Sequence, residues 1–154
     1  MKKYLGLDLG SKSLGLSISE SGIIANSYKT LYFKNDDYFE ASKIIADIMK
    51  KENFQVLVIG LPKHMNNDLG IRGEISIDFA NKVKELVDVE VVLWDERTST
   101  QAALKTMIGN NVSRKKQKTK KDELAAVIIL QNYLDYKENN KNGWKSNYIN
   151  NWRW

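Results

Sequence analysis

Between Lys3 and Phe33 apolar and polar side chains alternate in three short runs, and this period of two constrains the fold more than any other feature. In Lys3 to Leu9, Leu5, Leu7 and Leu9 fall on one face and Tyr4, Gly6 and Asp8 on the other. Gly10-Ser11-Lys12 turns the chain, Ser13 to Ser19 alternates again, and Ile23 to Phe33 follows the turn Glu20-Ser21-Gly22. Period-two runs joined by short turns predict an antiparallel meander.

The period then changes. Asp36 to Lys51 places Phe39, Ile44, Ile45 and Ile48 near helical spacing, with Asn35 or Asp36 as the expected N-cap. Gln55 to Gly60 is a near-continuous apolar run, the pattern of a strand buried on both faces. Leu61 to Gly70 holds the single proline and reads as a loop, Arg72 to Val87 as a helix and Glu90 to Trp94 as a short buried strand. Beyond it a helix is expected over Thr98 to Ile108, then a basic loop, then a last helix over Thr119 to Tyr136. The order implies an α/β fold with a mixed five-stranded sheet and helices on both faces, its ligand site beyond the carboxyl ends of the parallel strands. We therefore expect one domain over residues 1–136, and over 137–154 a polar, tryptophan-containing extension without periodicity.

Composition narrows the chemistry. There is no cysteine and a lone histidine, His64, so thiolate, histidine-rich zinc and disulfide sites are excluded, and any metal must take oxygen ligands. That favours magnesium or manganese. The amino terminus reaches Asp8 too soon for a signal-peptide core and no apolar stretch approaches a membrane span, so a cytoplasmic location is expected. Of the net charge of +5, seven basic residues and no acidic one lie between Lys105 and Lys121, among them Arg114, Lys115, Lys116 and Lys118. A local excess of this kind suits a phosphate backbone, although it also suits a solvated face.

Three acidic positions recur at element ends. Asp8 lies near the end of the first strand, where an aspartate among apolar residues is costly unless paired, or where it caps the turn. Asp95-Glu96 follows the last strand, and Thr98 with Gln101 has capping-box spacing, so Glu96 also reads as favourable charge at a helix amino end. Asp122 ends a Thr119-x-x-Asp122 segment before the apolar run Leu124 to Leu130, again the spacing of a helix cap. Periodicity alone leaves each position open.

Four ordered segments close the question of kinship. Leu5-Gly6-Leu7-Asp8-Leu9-Gly10-Ser11-Lys12-Ser13-Leu14-Gly15, Ile59-Gly60-Leu61-Pro62-Lys63-His64-Met65, Trp94-Asp95-Glu96-Arg97-Thr98-Ser99-Thr100 and the stretch from Asp122 to Leu134 resemble, in order and spacing, the motifs of the YqgF/RuvX family. The likeness covers residues 1 to about 136. The family comprises candidate nucleases for pre-16S ribosomal RNA, earlier described as candidate Holliday junction resolvases.

The resemblance implies a ribonuclease H-like fold and a nuclease site of clustered carboxylates, with Asp8, Glu96 and Asp122 as catalytic and metal-binding residues and Asp95 as a less secure ligand. Two magnesium or manganese ions about 3.5 to 4 Å apart are the expected cofactor, bridged by Asp8. Lys12, Arg97, Arg114, Lys115, Lys116 and Lys118 are the expected phosphate contacts, Arg97 reading equally as an ion-pair partner of Asp95 or Glu96, and His64 as a loop residue that touches substrate or is merely exposed. Expected partners are nucleic acid and ribosomal precursor particles, with the protein a monomer or homodimer. Branched DNA is the alternative substrate, and a non-catalytic RNA-binding assembly factor the alternative class, which the intact acidic trio disfavours. This chain departs from the family pattern at Ser13, where an arginine is usual, and at Asn66-Asn67, where Asp-Gly is usual.

Overall fold

A computed structural model of the chain describes residues 2–61, 70–95 and 114–140, the last stretch with side chains from 121 to 138. It contains β1 (Tyr4–Leu9), β2 (Ser13–Ser19), β3 (Asn26–Tyr32), α1 (Tyr38–Lys51), β4 (Val56–Leu61), α2 (Gly70–Leu86), β5 (Glu90–Asp95) and α3 (Arg114–Asn140). The five strands form one sheet in the order β3-β2-β1-β4-β5. β1, β2 and β3 pair antiparallel, whereas β4 pairs parallel with both β1 and β5. This is the mixed sheet that the change of period predicts.

Side-chain alternation divides the core in two. Leu5, Leu7 and Leu9 point to the side where Ala41, Ile45 and Met49 of α1 and Phe79 and Val83 of α2 bury them. Tyr4 of β1, Val56 and Val58 of β4 and Val92 of β5 point to the other side, against Ile129, Leu130, Tyr133 and Leu134 of α3. Gly6 and Asp8 share that second face by parity.

Several expectations are corrected. The N-cap of α1 is Asp37, not Asn35 or Asp36: its carboxylate accepts from the Glu40 amide at 3.1 Å, while Asp36 adopts a φ of 62° that starts no helix. The third strand begins at Asn26, because Ser21 Oγ accepts from the amides of Ile23 and Ile24 and holds them in a turn. Leu61, assigned to a loop, extends β4 and pairs with Asp95, and α2 starts two residues early, at Gly70. The largest correction is at α3, which begins at Arg114 and not Thr119. Arg, Lys and Gln are strong helix formers and no Gly or Pro interrupts residues 114 to 121, so the stretch expected to be a basic loop is the helix's first two turns. The same helix runs to Asn140, into the stretch expected to lack periodicity. The helix expected over Thr98 to Ile108 lies outside the described residues.

Candidate active site

Asp8 is brought to Asp122 by a close approach of helix and sheet. Asp8 pairs with Gly15 across the β1–β2 ladder. A Cβ on Gly15 would lie 2.3 Å from the Asp122 carbonyl oxygen, so only glycine lets α3 come so near. One turn further along the helix, Ser17 Oγ donates to the Ala126 carbonyl at 2.7 Å, and a Cβ on Gly6 would meet Ser17 Oγ at 2.1 Å and Leu130 Cβ at 2.8 Å. Gly6, Gly15 and Ser17 thus form the shallow bed in which α3 lies. Ser13, itself buried, donates through Oγ to Asp122 Oδ2 at 3.2 Å and fixes one oxygen of that carboxylate. Beside it, Thr30 Oγ1 donates to Glu123 Oε2 at 3.1 Å.

The electrostatics of the pair are those of two acids sharing a confined space. Burial of the Asp8 carboxyl, and then the negative charge of Asp122, push its pKa from 3.8 up to about 6, while the Arg72 guanidinium pulls the other way. A divalent cation set between two such oxygens would remove the repulsion and replace the water lost by burial, so the donor set fits a hard, oxygen-liganded ion. Among the described residues no three acidic or histidine side chains converge on one point.

Of the other expected site residues, Asp95 is buried at the end of β5, opposite Leu61. By alternation it lies on the face of Val91 and Leu93, the face away from Asp8. Lys12 is exposed on the β1–β2 turn, its carbonyl accepting from the Phe33 amide. Arg114, Lys115, Lys116 and Lys118 occupy the first turns of α3. Glu96, Arg97 and His64 lie outside the described residues. Asp122 is the ninth residue of α3, too deep in the helix to cap it, so the Thr119-x-x-Asp122 spacing has no capping role.

Arg72 was not singled out by its sequence. It stands in the first turn of α2, exposed, with Nη2 donating to the Leu9 carbonyl at 2.8 Å and Nη1 to Tyr38 Oη at 3.4 Å. A lone arginine at a helix start carries no pattern. Only the packing of α2 against the end of β1 places it beside Asp8.

Comparison with known proteins agrees with this architecture. The RuvX family, described as Holliday junction resolvase, matches residues 2–136. A candidate pre-16S rRNA nuclease from Onion yellows phytoplasma (strain OY-M) is 46% identical over 133 residues, covering 86% of this chain and 88% of the relative. One from Bacillus cytotoxicus is 43% identical over 136 residues, covering 88% and 99%. Among solved structures, Thermus thermophilus RuvC in complex with a Holliday junction substrate superposes with a TM-score of 0.59 at 13% identity, covering 90% of this chain and 97% of that one. At that identity the likeness is one of fold: the sheet and helices are arranged as in RuvC, which is ribonuclease H-like.

Proposed function

The chain belongs to the RuvX family of nucleases, and on that premise we propose that it hydrolyses phosphodiester bonds in the precursor of 16S ribosomal RNA, at a site formed by Asp8, Glu96 and Asp122 with magnesium or manganese. The observation that carries the reading is the confrontation of Asp8 with Asp122, two carboxylates that a fold seeking stability alone would keep apart. Asp95 lies on the face of the sheet away from Asp8, which disfavours it as the third ligand, and Glu96 takes that role in this reading on the family motif alone.

When bound, divalent ions supply an activated water and a counter-charge for the departing oxygen. The residues of the chain set the geometry. Asp8 presents its carboxylate from a strand fixed on both sides, Asp122 from a helix pinned at Ser13, Gly15 and Ser17. Ser13 holds Asp122 Oδ2 and so fixes the orientation of the carboxylate that would meet the ion. Lys12 and the basic first turns of α3 would steer and hold the phosphate backbone. Ribosomal precursor particles are the natural setting for such a substrate.

The test incubates the purified protein with a precursor 16S rRNA leader and with a four-way DNA junction, each in magnesium and in manganese. Cleavage of the leader is expected, and its loss in Asp8→Asn. The family's description favours branched DNA as the second reading, and cleavage of the junction alone would establish it instead.

A further inference from the structure

We infer that Arg72 is a substrate-binding residue of this site, its guanidinium held in place to engage a phosphate oxygen of the nucleic-acid strand beside the scissile bond. The inference rests on the reading that Asp8 marks the point of cleavage.

Three observations carry it. First, Arg72 is anchored where the strand must pass. Its Nη2 bonds the carbonyl of Leu9, the residue after Asp8, at 2.8 Å, so the cation cannot swing away from the carboxyl end of β1 without breaking that contact. Second, it is braced from the other side. Nη1 donates to Tyr38 Oη at 3.4 Å, and that hydroxyl donates to Asp36 Oδ1 at 3.3 Å, linking the first turns of α1 and α2 to the end of the sheet. Among the described residues these two bonds use one hydrogen on each terminal nitrogen, which leaves three of the five guanidinium donors for a ligand. Third, the side chain is exposed although anchored, and it lies at the positive end of a 17-residue helix whose first turn has no acidic residue.

A purely structural arginine of this kind would be expected to spend its fork on a carboxylate. Arg72 instead takes a carbonyl and a hydroxyl, both neutral, and keeps its full positive charge beside Asp8. With Asp8 and Asp122 neutralised by cations, that charge has no directly bonded anionic counterpart among the described residues, Asp36 meeting it only through the Tyr38 hydroxyl. A phosphodiester oxygen supplies one, in the planar geometry that guanidinium matches and ammonium does not.

The experiment measures cleavage and binding separately. Binding of the full chain to the rRNA leader and to the four-way junction is followed across a salt series with calcium in place of magnesium, and cleavage rates are taken in magnesium. Arg72→Met is expected to lower the slope of log K against log salt by about 0.7 to 0.9, one phosphate contact, and to reduce kcat by about tenfold or more. Arg72→Lys keeps the charge and is expected to keep the slope while leaving kcat depressed. An unchanged slope in Arg72→Met overturns the inference, whatever its melting temperature, because loss of a structural clasp releases no counterion. A slope that falls equally in Arg72→Lys also overturns it. Asp8→Asn, run alongside, separates the two levels: cleavage by that variant refutes the site, whereas an inactive Asp8→Asn beside an Arg72→Met of normal slope refutes only the role of Arg72.

Discussion

In the metal-free protein the folded state must hold Asp8 ionised against burial and the charge of Asp122, whereas the unfolded chain does so freely. The sign follows from the raised pKa. Well below pH 3.8 both states are protonated and Asp8 costs nothing; as pH rises through 3.8 towards about 6 only the unfolded state ionises, and stability falls, levelling off above the folded pKa. Asp8→Asn is therefore expected to melt like the wild type near pH 3 and to be more stable by about 1 to 3 kcal/mol at pH 7.5 in chelator, while losing metal-dependent cleavage. Parallel melts at the two pH values decide it, and equal stability at both would remove the electrostatic account. For Asp122→Asn we expect lost cleavage with the fold intact, since an interior helical position has no cap to lose. At this scale the sequence was legible only in part. Asp8 and Asp122 were reached through the resemblance, because each had a local explanation. Arg72 was invisible, because its partners are a main-chain carbonyl 63 positions away and a tyrosine 34 positions away.

The elements were easier to read where burial imposes a period. Ser13 to Ser19 is strand β2 to the residue, since every second side chain must enter a core on one side or the other. In α2, expected as a helix over Arg72 to Val87, Phe79 and Val83 stand four residues apart on one face and are fully buried. The start of α3 lies ahead of the expected Thr119 because Thr119-x-x-Asp122 mimics the spacing of a capping box, while the preceding lysines carry no periodic mark. What periodicity could not signal at all is the bed of Gly6, Gly15 and Ser17, which depends on side chains that are missing or small. It yields a sharp test. Gly15→Ala must force α3 outward, since a Cβ there meets main chain and not a flexible side-chain tip. We expect a loss of about 1 to 3 kcal/mol in denaturant melts together with a larger loss of cleavage than of stability, because Asp122 is displaced first. A variant of wild-type activity would mean that the separation of Asp8 and Asp122 is not critical.

Across the whole molecule, charge and chemistry are joined by one helix. Alanine at Arg114, Lys115, Lys116 and Lys118 should leave α3 formed, alanine being the best helix former, so any effect is one of charge. Weaker binding of the rRNA leader and a shallower salt dependence are expected, with metal affinity unaltered; a salt slope that does not move would make these turns a solvated face. Because a helix is stiff, α3 would act as a ruler between a strand held at its first turns and a cut made at Asp122. Eight residues separate Arg114 from Asp122, about 12 Å of axial rise. A nucleic-acid strand advances about 3.4 Å per nucleotide, so that span corresponds to between three and four nucleotides. The footprint on a bound strand would then begin a set number of nucleotides to one side of the cut, and inserting one helical turn between Lys118 and Asp122 would lengthen that offset without moving the cut itself.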